Sequence, residues 1–200
     1  MKAVRIYHSP EMVAKIKQHL WSLPLNDRYM RFFAALSDES IGRYVDKIDL
    51  DSTKGEAGFG LFTENGETMV GFCHVAPMDD SGKKSAELAL SVSETHRRNG
   101  YGRILFNRGV LHCESHGIKR LYMNCLSSNT TMQRMAHDAG MSAIKSYGDI
   151  VASLDMKNDR SVQATLEAIN NDSTALYDLN CKPMTDQWID FIGRLTGKQH

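Results

Sequence analysis

Residues 96–103, HRRNGYGR, concentrate positive charge around two glycines directly before the apolar run Ile104-Leu105-Phe106. A helix that opens here leaves its first main-chain N–H groups without internal partners, and its dipole adds partial positive charge. Gly100 and Gly102 let the backbone come close to a bulky anion. His96, Arg97, Arg98 and Arg103 add charge, and arginine forks match phosphate oxygens. The chemistry that suits such a turn is the cradling of a diphosphate. Taken by themselves, the same residues would serve equally as a solvated basic turn. Two other phosphate motifs are excluded. There is no G-x-x-x-x-G-K-[ST]. The dinucleotide fingerprint needs a third glycine where Leu105 stands, and Gly109 comes too late.

Glu87 is the second residue able to do chemistry. In SAELALSV, residues 85–92, a period of two sets Ala86, Leu88, Leu90 and Val92 on one strand face. Glu87 shares the other face with Ser85, Ala89 and Ser91. A carboxylate among small side chains leaves room for a substrate and suits proton abstraction; the alternative is a solvent-facing strand glutamate. His112 and His116, at i and i+4, have a spacing that can hold a metal, but no third ligand follows from the spacing. They read as two histidines on the outer face of a helix, and no metal is expected. His74 reads as a hydrogen-bonded histidine at a sheet edge. Arg28 and Arg31 could either orient a helix or bind an acidic group of a substrate.

The elements that must position these groups follow from caps and periodicity. Ser9 with Pro10 opens a helix carrying Val13, Ile16 and Leu20; Ser37 opens another carrying Ile41, Tyr44, Val45 and Ile48. Between them lies NDRYMRFFAAL, to which no element is assigned. Two strand-like runs flank Asn65-Gly66, a hairpin signal. The strand bearing Glu87 follows, then the basic turn and a helix from about Gly102 to Ser115, with Gly117 past its end. IKRLYMNCL reads as a strand, NTTMQRMAHDA as a helix closed by Gly140, and YGDIVASLDM as a last strand. The expected order is ααβββαβαβ. It implies an α/β (α+β) fold with a mixed, mostly antiparallel sheet and helices on both faces. Residues 1–155 form the main domain, and 156–200 a helical extension packed on it, where Trp188, Ile189, Ile192 and Leu195 make a narrow stripe that could also support a homodimer contact.

The chain of 200 residues has 24 basic and 24 acidic side chains, so no global field draws it to nucleic acid or to an anionic membrane. Any anion site must come from local clustering. Neither nucleic acid nor membrane is expected as a partner. Cys73, Cys113, Cys125 and Cys181 are too scattered for a disulfide framework or a structural zinc site, and no leader or membrane span is evident. The expectation is a cytoplasmic protein.

The segments ELALSVSETHRRNGYGRILFNRGVLHCESHG and LYMNCLSSNTTMQRMAHDAGM together resemble the GNAT superfamily of N-acetyltransferases. The order is strand, [RQ]-x-x-G-x-[GA], helix, strand, then an Asn-led helix closing at glycine. The resemblance covers most of residues 3–155 and is concentrated between Glu87 and Met141. DRYMRFFAAL is also similar to a segment of the GNAT domains of bacterial protein-lysine acetyltransferases. The resemblance implies acetyl-CoA as co-substrate and a primary amine, possibly a protein lysine, as acceptor. It implies that the diphosphate sits on the main chain from Arg97 or Arg98 through Asn99, Gly100, Tyr101 and Gly102, with Arg103 nearby. The pantetheine arm would pair with Leu90, Ser91 and Val92, Asn129 would lie near the arm while capping its helix, and Glu87 would be the base. Family members often carry a tyrosine where this chain has Ala136, so no general acid is assigned. A non-catalytic acyl-CoA-binding module of the same fold is the alternative reading.

Overall fold

The computed structural model describes residues 1–80, 82–146 and 149–156. The helical extension and its dimer contact, apart from Met156, lie outside the described residues, as does Tyr147. Ser9 Oγ accepts from the Met12 N–H (3.1 Å) at the head of α1 (Pro10–Trp21), with Pro10 in its first turn. Ser37 Oγ does the same for the Ser40 N–H (3.3 Å) at the head of α3 (Asp38–Val45). Each cap satisfies one N–H that the helix cannot. Between them the unassigned segment forms α2 (Leu25–Phe32). It has no side-chain cap and no fully buried residue. No cap therefore marks its start in the sequence.

The sheet has seven strands in the order β1-β2-β3-β4-β5-β7-β6. They are β1 (Val4–Ile6), β2 (Ala57–Phe62), β3 (Met69–Asp80), β4 (Lys83–Val92), β5 (Arg120–Leu126), β6 (Ser142–Ser146) and β7 (Asp149–Asp155). β4 and β5 run parallel; every other neighbouring pair is antiparallel. The expected mixed sheet is present, with β1 and β6 added at its two edges. Both are short, and β6 leaves Ile144 71% exposed, so neither has the apolar alternation that marks a half-buried strand. The β2–β3 hairpin forms around Asn65-Gly66, but its loop spans residues 63–68: Gly66 N–H bonds Thr63 O (2.8 Å) and Thr63 N–H bonds Thr68 O (2.9 Å).

Two cores lie on the two faces. Leu105, Phe106 and Val110 of α4 (Tyr101–Ser115) pack on Phe59, Cys73, Val75 and Leu88, joined by Ala136 of α5 (Thr130–Asp138). On the other face Ile16, Leu20, Ile41 and Val45 pack with Leu50, Met69 and Phe72. α4 crosses the sheet closely at Gly109, where a Cβ would lie 2.4 Å from Leu88 Cδ1 and 3.3 Å from Cys73 Sγ. Leu88 and Cys73 are both fully buried and have nowhere to move. Gly109→Val is therefore expected to destabilise by about 1–3 kcal/mol, the usual cost of overpacking, and to lower the melting temperature in a thermal scan by about 2–12 °C.

His112 corrects the reading of an outward-facing pair. It is buried, sits edge-on to Phe59 (5.5 Å between centroids), and its Nε2 meets Gly55 O at 3.0 Å. The helix turns it inward because it falls three residues after Gly109, on the face α4 lays against β2 and β3. Burial, reinforced by the adjacent His116 ring at 3.9 Å, pushes its pKa down to about 3. Burial likewise lowers His19 of α1 to about 4. Below roughly pH 6.5 the unfolded chain binds protons that these folded rings refuse, so stability falls as pH drops through 6.5 toward 4. The expected slope is about 1.4 kcal/mol per pH unit for each ring. Urea midpoints between pH 7 and pH 4.5 check it, and His112→Gln should flatten the decline.

Candidate active site

The site begins where the sheet parts. β4 and β5 are paired at Ser85–Arg120, Ala86–Leu121 and Glu87–Tyr122, and not beyond. β3 follows β4 on its other side as far as Val92, and β7 follows β5 as far as Leu126. The two halves of the sheet thus diverge after Glu87, leaving the β5-facing edge of residues 88–92 without a neighbouring strand. Exposure records the split: Ser85 is fully buried, whereas Ala89, Leu90 and Ser91 are half-buried.

The basic turn closes the open end. A 3₁₀ turn (Glu94–His96) uses the Arg97 N–H on Glu94 O (3.2 Å), after which the chain turns through Arg98 (φ 65°) and Gly100 (φ 76°). α4 starts at Tyr101 with no side-chain cap. Ile104 N–H is the first to find a main-chain acceptor, Gly100 O at 3.1 Å. Among the described residues, the N–H groups from Arg98 to Arg103 have neither main-chain nor side-chain acceptors. A run of free donors at a helix start is an anion cradle. Of the two expected starting points, Arg97 N–H is taken by Glu94 O and Arg98 N–H is free, and the free run continues to Arg103.

A cavity of about 520 Å³ joins this cradle to the split. Leu90, Ser91, Val92, Arg97, Arg98, Gly100, Tyr101, Gly102, Arg103 and Asn129 all line it, together with Ala89. Asn99 does not; its side chain turns back onto the carbonyls of His96 (3.3 Å) and Arg97 (3.1 Å) and braces the turn. Asn129 also caps α5, its Oδ1 accepting from Met132 N–H (3.2 Å). The cavity wall holds five arginines, at 31, 97, 98, 103 and 134, against two aspartates, 27 and 138. Within a chain of zero formal charge this is a local excess of positive charge. Arg97 is braced by Asp27 (2.5 Å) and Val92 O (3.0 Å), and Arg103 by Asp138 (2.6 Å).

Glu87 stands just outside the cavity lining and is tied to it through Asn124, whose Nδ2 donates to Glu87 Oε1 at 3.0 Å. Asn124 was not singled out from the sequence. Its signal is a polar residue alternating with buried Leu121, Met123 and Cys125 along β5. Its Oδ1 is buried with no partner. α2, unassigned in the sequence, supplies Asn26, Asp27, Met30 and Arg31 to the wall. The two arginines of this segment separate. Arg28 donates to the carbonyls of Leu23, Leu36 and Trp21 and pairs with Asp38 (2.7 Å), so it holds the helix in place. Arg31 faces the cavity.

His74 is hydrogen-bonded as expected but is not at an edge. β3 lies between β2 and β4, and His74 stands opposite Gly58 and Ala89. Ala136 is buried against α4 and His137 is 90% exposed at its side chain, so neither offers a proton to the cavity. Tyr101 lines the cavity, while Tyr122 OH donates to Asp80 (2.5 Å). Among the described residues, no group of three or more His, Cys, Asp or Glu is disposed to hold a metal, and no helix is long and apolar enough to cross a membrane.

Comparison with known proteins agrees with this geometry. The GNAT domain of S. lividans PAT superposes with a TM-score of 0.64 at 19% identity, over 77% of this chain and 89% of that one. A GNAT superfamily phosphinothricin acetyltransferase from Sinorhizobium meliloti, in complex with AcCoA, gives 0.60 at 14% identity over 76% and 86%. An acetyltransferase from Thermus thermophilus gives 0.56 at 18% identity over 76% and 95%. These likenesses establish the fold. A search of curated protein sequences gave no match. The sequence model of the acetyltransferase (GNAT) family matches residues 17–141, from within α1 to the end of α5 and through the whole cradle. The chain belongs to the GNAT family of acetyltransferases.

Proposed function

We propose that this protein transfers an acetyl group from acetyl-CoA to a primary amine, a protein lysine being one acceptor of that class. The observation that carries the reading is the continuity of the cavity from the free N–H groups of 98–103 to the unpaired edge of β4 and on to Asn124. The cradle fits a diphosphate, and the edge at 89–92 fits an extended arm with amide groups of its own. Gly102 keeps the cavity open where α4 passes α5, since a Cβ there would lie 3.2 Å from Met135 Cε. The S. meliloti relative holds AcCoA, which supports this choice of donor.

The chain's residues then divide the work. Arg98–Arg103 and the β4 edge orient the donor, and Glu87 takes a proton from the incoming amine, directly or through water, because an ammonium with a pKa near ~10.4 is no nucleophile. The amine nitrogen forms a bond to the thioester carbonyl carbon, the carbon–sulfur bond breaks, and its electron pair leaves on sulfur. A thiol pKa near ~8.5 makes that thiolate a tolerable leaving group near neutrality. Solvent can supply its proton, so Ala136 in place of a tyrosine is compatible with turnover. Release of free thiol from acetyl-CoA over a panel of amines tests the reading. Acceptor-dependent release together with an acetylated product by mass spectrometry supports it. Binding without release for every amine would leave the non-catalytic module in its place.

A further inference from the structure

Arg31 is the one cavity arginine on α2, and among the described residues no carboxylate lies within ion-pairing distance of it. Its Nε is buried without a hydrogen-bond partner. Its neighbours hold it rigidly. Nη2 donates to Tyr44 OH (3.1 Å), and the guanidinium stacks over the rings of Phe32 (4.9 Å) and Tyr44 (5.9 Å). Tyr44 OH meets His74 Nδ1 at 2.8 Å, and His74 Nε2 meets Glu56 Oε1 at 3.0 Å. With His74 protonated on Nε2 and accepting at Nδ1, each of these three links sets a donor against an acceptor. Four side chains from four different segments are thus spent on fixing one guanidinium. The relay ends on the Glu56 carboxylate.

The register places the His74 end of this relay. His74 lies opposite Ala89 on β4, and Ala76 opposite Glu87. Cross-strand partners point to the same face, so His74, Ala89 and Glu87 share the face covered by α1–α3. His74, which reaches Arg31 through Tyr44, is level with Ala89, the residue next but one to Glu87. A cation that faces the cavity and is held from the side of the sheet that carries Glu87 can meet the acceptor.

We propose that Arg31 selects the acceptor, which is a primary amine carrying a carboxylate close to its nucleophilic nitrogen. This rests on the acetyl-transfer reading above. The carboxylate can belong to a free amino acid or to an acidic side chain beside a lysine, and Arg31 would form with it the forked pair that guanidinium geometry favours. Tyr44 and His74 are positioning residues for it.

The test uses matched acceptors with acetyl-CoA as donor: free amino acids against their α-amides, and short lysine peptides with a neighbouring glutamate against the same peptides with glutamine. Binding of each pair to the full chain in the presence of coenzyme A is measured by calorimetry in parallel with turnover. The expected result is a preference of at least ~10-fold in KM or Kd for the carboxylate member of one pair, about one charge-assisted hydrogen bond. Whichever pair shows it identifies the source. Arg31→Gln should abolish the preference with the affinity for coenzyme A retained, and Tyr44→Phe should raise acceptor KM by ~3–10-fold with kcat unchanged. Equal binding and turnover of both members would overturn the proposal, as would a preference that survives in Arg31→Gln or a loss of coenzyme A affinity in that variant. Absence of turnover for every amine would sink the acetyl-transfer reading; the calorimetric arm still decides the role of Arg31.

Discussion

Valine at both Gly100 and Gly102 is expected to lower coenzyme A affinity at least ~100-fold while the protein stays folded. Gly100 has φ 76° and open space around the position a Cβ would take, so the penalty there is one of backbone conformation. A left-handed residue with a side chain costs about 1–2 kcal/mol, more when β-branched. The turn escapes that strain by rotating, and rotation swings the free N–H groups on either side out of line. At Gly102 the added methyls enter the gap between α4 and Met135, within the cavity itself. Each charge-assisted hydrogen bond lost is worth about 1.5–3 kcal/mol, so losing two gives the stated factor or more. Both positions lie at the edge of the fold and outside its two cores, so circular dichroism should show the native helix content. Titration calorimetry with coenzyme A reads the result, and unchanged affinity would show that the diphosphate is held elsewhere.

Glu87→Gln is expected to slow turnover by ~10²–10⁴-fold, the range of a general base, with little change in affinity for acetyl-CoA. The substitution is nearly isosteric and its carbonyl can still accept from Asn124 Nδ2, so the local bonding is preserved. Only the ability to take a proton is lost. Steady-state kinetics on the true acceptor, with binding of acetyl-CoA measured separately, checks both halves. A variant that turns over at the native rate removes Glu87 from the mechanism.

The residues that touch backbone geometry were legible in the sequence, and those that depend on the packing of distant segments were not. Glycines and caps act on their own neighbourhood, so the glycine turn ahead of α4, the Asn129 cap and the two serine caps could be placed from spacing. α2 could not, because it has no side-chain cap and its Leu25 and Tyr29 stay exposed, so nothing in the segment marks which of its residues turn inward. Asn124 became meaningful once its side chain was seen to bond Glu87 across the parting strands. His112 misled for a related reason: i,i+4 spacing tells which residues share a face, while Gly109 and the sheet decide which way that face looks. His74 was placed at an edge although the hairpin and the next strand were legible, because only the pairing of the whole sheet sets β3 between β2 and β4.

The parting of β4 from β5 has a consequence for how the protein tolerates change. Along residues 88–92 the open edge offers main-chain atoms, which every substitution preserves except proline, to the donor proposed above. Recognition of the arm should therefore drift little as side chains there are exchanged, and a proline scan would trace the seam where an alanine scan stays silent. Hydrogen exchange should mark the same seam, with those amides slowing when it is filled.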